Sequence, residues 1–186
     1  MTLIVYKDGV LAADCGATRY GSREAASKLR TVKTKNRVYH FGYAGELPSI
    51  ERHWGIARKL IQHGDRPVVE LELNCSGLVV EVDMRSGEQG VYSFNNFKDN
   101  PAKGVLAPER NDFAAEGWES AVISALAIES VTSLNAPHII YAVSKINSGC
   151  DTKYGVDTIN VYDDTTRHYC SDKLAANLEN DYGKTR

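Results

Sequence analysis

A threonine in second position is a nucleophile that carries its own base. Thr2 follows the initiator Met1 directly, and threonine is small enough for ordinary processing to remove that methionine, leaving a hydroxyl and a free α-amine on one residue. Such an amine activates the hydroxyl beside it for attack on a carbonyl. The opening residues also predict a hairpin that brings a carboxylate to the same place. Two short apolar runs flank Asp8-Gly9, and Asp-Gly between such runs is a strong hairpin signal because both residues tolerate positive φ. A two-residue turn there pairs Lys7 with Val10, Tyr6 with Leu11, Val5 with Ala12, Ile4 with Ala13 and Leu3 with Asp14, which sets Asp14 beside Thr2.

Other chemistry-bearing residues form no motif. Cys15, Cys75, Cys150 and Cys170 are far apart and make neither a CxxC pair nor a zinc spacing with histidine. They read as small, reduced, mostly buried residues, so neither a metal nor a cofactor is expected. His40, His53, His63, His138 and His168 pair with no Ser or Cys in a nucleophile motif, and GxSxG, HExxH, P-loop and GxGxxG patterns are all missing. The histidines read as surface or packing residues.

At 186 residues the chain suits one domain with a sizeable core. With 42% apolar and 25% charged residues, disorder and fibrous folds are excluded. A formal charge of -2 gives no electrostatic case for nucleic acid. No apolar run reaches membrane-spanning length, and Met-Thr is not followed by the pattern of a signal peptide. A cytoplasmic protein without a membrane partner is expected.

The elements that must position Thr2 and Asp14 follow in order. Residues 17–28 read as a loop with some extended structure, and the alternation of residues 37–43 predicts a strand. Ala44-Gly45-Glu46 ends it, and a helix is predicted from Ser49, its N-cap, to Gly64, with Ile50, Trp54, Ala57, Leu60 and Ile61 on one face. Residues 68–73, 77–83 and 90–94 read as β runs, with no helical period among them. Residues 95–111 read as a long loop. Helices are predicted over 115–132 and 138–148, a strand over 156–162, and a short capped helix near 174–178. This order fits an α+β sandwich in which helices cover two stacked antiparallel sheets.

Thr-Leu-Ile-Val, Asp-Gly-Val-Leu-Ala-Ala-Asp-Cys-Gly-Ala-Thr, Ala-Ser-Lys-Leu and Tyr-Ala-Gly-Glu stand in this order along the first quarter of the chain. Together they resemble the opening of proteasome β-subunits and their simpler bacterial relatives, the N-terminal-threonine peptidases. The first hairpin is about four residues shorter than the family's usual one; shortening each strand by two keeps every side chain on its face and leaves Thr2 in the nucleophile's place. The resemblance implies a four-layer αββα N-terminal-nucleophile hydrolase fold and a threonine-type peptidase. By the same resemblance Thr2 is the nucleophile, Asp14 and Lys28 are the catalytic acid and lysine, and Gly45 offers the oxyanion donor. Asp151 holds the terminal amine, and Ala17, Thr18, Tyr43 and Leu47 flank the substrate.

The resemblance also implies a peptide or unfolded-protein substrate, a homo-oligomeric ring, and an unfoldase ATPase as a possible partner. The chain departs from the family in three places. It shows no second helix before the middle strands, it has Ala115-Glu116-Gly117 where the family commonly has Gly-Ser-Gly, and it has Tyr154 where the family has serine. Two other readings stay open: a hydrolase of small amides, and a catalytically silent, ring-forming scaffold with Met1 retained.

Overall fold

Asp8 and Gly9 both take positive φ, +48° and +83°, the requirement of the hairpin turn whose twist matches its strands. They join β1 (Leu3–Lys7) to β2 (Val10–Asp14). The register runs as expected from Lys7 opposite Val10 to Ile4 opposite Ala13, where the ladder stops. The fifth contact is made by a side chain instead, with the Leu3 N–H donating to Asp14 Oδ1 at 2.8 Å. The computed structural model describes residues 2–19 and 22–182; for residues 18, 19, 22, 23 and 177–182 the backbone alone is described.

Beyond the hairpin the chain forms β3 (Gly16–Arg19) and β4 (Ser22–Ala25), a second small hairpin. Then come β5 (Leu29–Lys33), β6 (Arg37–Gly45) and α1 (Leu47–His63). The helix starts three residues earlier than the sequence predicts, with Glu46 rather than Ser49 as its N-cap. Pro48 lies in its first turn, where a fixed φ suits the helix and no N–H is missed, so Ser49 is inside the helix and its hydroxyl accepts from the Asn74 N–H at 3.2 Å. The helix ends as predicted, with Gly64 at φ +89° and the N–H groups of Gly64 and Asp65 returned to Ile61 and Leu60.

Residues 68–73 are not a strand, although Val69 and Leu73 are buried in the core that α1 shares with its sheet. Strands β7 (Cys75–Asp83), β8 (Gln89–Asn95) and the two-residue β9 (Ala107–Pro108) follow. Strand β10 (Phe113–Gly117) then leads into α2 (Glu119–Val131) and α3 (Ala136–Ile146). Residues 115–117, predicted as the start of a helix, are therefore strand. The chain finishes with β11 (Val156–Asn160), β12 (Thr166–Tyr169) and α4 (Ser171–Tyr182).

Two five-stranded antiparallel sheets result, one ordered β10-β1-β2-β11-β12 and the other β5-β6-β7-β8-β9. Alternation along each strand divides the core into three apolar layers. Leu3, Val5 and Ala12 face Ala121, Ala125, Ile139 and Val143 of α2 and α3. Ile4, Tyr6, Leu11 and Ala13 point the other way and meet Ala44, Leu78 and Val80 of the second sheet. On its far face Tyr39, Phe41 and Tyr43 pack on Ile50, Ala57 and Ile61 of α1. The stack is helix, sheet, sheet, helix, with the chain's first strand in its middle.

Candidate active site

Asp14 ends β2 and Lys28 stands directly before β5. Their side chains meet in the interior: Lys28 Nζ donates to Asp14 Oδ2 at 3.2 Å and to the Gly16 carbonyl at 2.6 Å. Asp14 is 0% and Lys28 4% exposed, so neither charge has water to fall back on. Burial pushes the Asp14 carboxyl above the usual carboxylate range, while the Lys28 ammonium and the N–H groups of Leu3 and Asp151 pull the other way. The carboxylate thus spans the amide after Thr2 and the ammonium of Lys28.

Thr2 is buried immediately ahead of β1, and its carbonyl accepts the Trp118 N–H at 3.0 Å. Gly117, opposite Leu3 in the ladder, has φ +136°, and a Cβ there would lie 2.2 Å from the Thr2 carbonyl oxygen. Only glycine lets β10 approach so closely. Thr2, Gly117 and Trp118 line a cavity of about 650 Å³ together with Ala44, Gly45 and Glu46 from the end of β6. Gly45 is equally constrained, at φ +126° with a Cβ position 2.2 Å from the Asn74 carbonyl oxygen.

Glu116 and Ser76 also line this cavity. Ser76 donates its hydroxyl to the Glu116 carboxylate, and burial raises the Glu116 carboxyl against that bond and the Gly117 N–H. Glu116 is strand rather than helix because Phe113–Gly117 pairs along the whole of β1; the pairing overrides the helical preference of Ala-Ala-Glu. Sequence reasoning missed Ser76, which carries no signal in a run that reads as ordinary strand.

The remaining expected residues are spread around this centre. Asp151 gives its N–H to Asp14 and turns its own carboxylate back onto the Lys153 N–H at 3.0 Å. Tyr43 does not line the cavity: its ring is buried under α1, stacked on Phe41, with its hydroxyl 3.1 Å from His53 Nδ1. Strand alternation decides this, since Tyr43 shares the face of Tyr39 and Phe41. Leu47 opens α1, partly buried, outside the cavity lining. Ala17 lies in β3, likewise outside it, and the side chain of Thr18 lies outside the described residues. Tyr154 is half-buried in the turn before β11, with Lys153 Nζ 5.6 Å from its ring centroid.

No protein-family model and no curated protein sequence matches the chain. Solved structures do. A mutant of Anbu from Hyphomicrobium sp. strain MC1 superimposes with a TM-score of 0.72 over 99% of this chain and 94% of its own, at 12% identity. Anbu, described as an ancestral β-subunit, from Yersinia bercovieri gives 0.67 over 99% and 94%, also at 12% identity. Eukaryotic HslV from Trypanosoma brucei gives 0.54 over 85% and 97%, at 18% identity. Identities this low show a shared fold: the chain has the αββα N-terminal-nucleophile hydrolase architecture.

Proposed function

We propose that this chain is a threonine-type endopeptidase of the proteasome kind, working in the cytoplasm on peptides or unfolded protein as a homo-oligomeric ring, with an unfoldase ATPase as its partner. One observation carries the reading. A residue with the nucleophile's chemistry, Thr2, stands at the wall of a cavity that Gly45 also lines, and directly behind it the buried Lys28–Asp14 pair is tied to the next amide.

The proposed reaction begins once Met1 is removed. Thr2 Oγ1 attacks the peptide carbonyl carbon while the Thr2 α-amine takes the hydroxyl proton. An α-amine titrates at about 8, close enough to neutral pH for this transfer. The Lys28 ammonium favours the neutral amine and stabilises the developing alkoxide, and Asp14 fixes that ammonium in place. The Gly45 N–H is assigned to the oxyanion, a donor of a kind worth about 3 kcal/mol in the transition state. The amine then protonates the leaving nitrogen, and water hydrolyses the resulting ester to restore Thr2.

Intact mass of the purified chain tests the premise, and a loss of one methionine residue is expected. Processed wild-type protein should hydrolyse fluorogenic peptides and be labelled by threonine-directed covalent inhibitors. Thr2→Ala should abolish both while leaving the circular dichroism spectrum unchanged. Full retention of Met1, or labelling that survives Thr2→Ala, excludes this mechanism. Turnover of small amides but not peptides would keep the nucleophile and change the substrate class.

A further inference from the structure

On the first sheet, outside the lining of the Thr2 cavity, three ligand-bearing side chains converge from two strands and the residue that follows a third. Cys15 follows β2, Asp157 lies in β11, and His168 stands opposite Asp157 in β12. Cys15 Sγ is 4.0 Å from His168 Nδ1, and Asp157 Oδ1 is 2.7 Å from the same nitrogen. Their ligand atoms all lie within 4.8 Å of one another. Because 153 residues separate Cys15 from His168, no spacing motif announces them.

The arrangement does not suit a nucleophile relay. A relay needs the thiol on one imidazole nitrogen and the carboxylate on the other, whereas here both face Nδ1. The thiol is also unreactive as it stands, pushed up to about 12 by burial and by the neighbouring Asp157 carboxylate, against the influence of Lys28. A thiolate next to a carboxylate is repelled unless a cation lies between them. A divalent ion supplies that cation, and with one thiolate, one carboxylate and a neutral imidazole the group sums to zero charge. Ligand atoms bound tetrahedrally to zinc lie about 3.3–3.6 Å apart, given bond lengths of roughly 2.0–2.3 Å. The observed 2.7 and 4.0 Å bracket this spacing. His168 is half-exposed, so its ring has room to adjust. A cavity of about 380 Å³ lined by Asp157, Thr158, His168 and Ser27 opens onto the group.

We propose that Cys15, Asp157 and His168 form a binding site for a divalent metal ion of borderline softness, of the zinc class, with a fourth position open to water from that cavity. On binding, the Cys15 S–H bond breaks and its proton passes to solvent. The His168 proton that Asp157 accepts leaves Nδ1 and is replaced by one on Nε2 through exchange with solvent, and sulfur–metal and nitrogen–metal bonds form; nothing is oxidised or reduced. The ion ties the chain beyond Asp14 to the β11–β12 pair.

Cobalt(II) added to the full chain, followed by zinc(II) in competition, tests this directly. Wild-type protein should take up one equivalent of cobalt, show thiolate-to-cobalt charge transfer in the near ultraviolet, lose that band to zinc and melt at a higher temperature with either ion. His168→Gln, at a half-exposed position, should keep the fold and weaken cobalt binding by ~10-fold or more. Cys15→Ser should lose the band, and Cys170→Ser, which removes the exposed thiol nearby, should retain both band and affinity. The site is refuted if the wild type shows no thiolate band, if His168→Gln binds as well as wild type, or if the band disappears with Cys170→Ser.

Discussion

Lys28 is the residue on which both the proposed chemistry and local stability converge. Its ammonium has two acceptors, Asp14 and the Gly16 carbonyl, and almost no water. Removing one member of such a pair strands the other charge in the interior, at a cost of about 3–5 kcal/mol. Lys28→Met should therefore destabilise the fold by roughly that amount in urea denaturation and abolish threonine-directed labelling. Adding Asp14→Asn should recover much of the stability, because no charge is then left buried, and recover none of the labelling. Equal stability of Lys28→Met and wild type would mean that the pair contributes nothing to the fold. Thr2 and Asp14 could be placed from sequence because a two-residue turn fixes every register position behind it. Lys28 could not, since the loop before it has no period to count along, and only resemblance singled it out. Ser76 and the inward ring of Tyr43 depend on which face of a strand meets the cavity, a matter settled by packing between distant segments.

Helix α1 shows how an element couples to its sheet through a titratable group. His53 is buried on its inner face, stacked on Phe94 with ring centroids 4.5 Å apart and bonded to the Tyr43 hydroxyl. Burial lowers its imidazole from 6.5 to about 4. The neutral ring is thus favoured in the fold, and His53 contributes stability that is fully present above its unfolded value and is lost as pH falls from 6.5 toward 4. In that window the unfolded chain binds the extra proton, at about 1.4 kcal/mol per pH unit. His53→Gln keeps a hydrogen-bonding group without a titration, so its stability should fall less steeply between about pH 6 and 5, by close to one proton. Parallel slopes for variant and wild type in urea melts would show that another group governs acid sensitivity. This helix was legible because its apolar period and the Gly64 stop agree, although its start falls ahead of Pro48 rather than at the expected Ser49. Strand β10 was not, because its residues prefer helix and only β1 makes them a strand. The short polar strands of the β3–β4 hairpin likewise carry no apolar alternation that would announce them.

Across the whole molecule, the helical layer over the first sheet carries large apolar side chains on its outside as well as its inside. Helix α2 buries Ala121 and Ala125 against the core, yet Ile123 is 60%, Leu126 47% and Val131 80% exposed. Trp118 and Ile146 extend the apolar surface at the ends of α2 and α3. Among the described residues no helix is long and apolar enough to cross a membrane. Large apolar side chains exposed together on a surface are ordinarily covered by a partner, and side chains of this size contribute about 1.5–3 kcal/mol each on full burial. A second copy of the chain is the cover that fits the proposed homo-oligomer. Wild-type protein should then give a native mass of several protomers. Ile123→Glu replaces an exposed side chain, so each protomer should keep its circular dichroism spectrum while the assembly shifts toward the monomer. A monomeric wild type would rule out the assembly, whereas an assembled Ile123→Glu variant would move the interface away from α2.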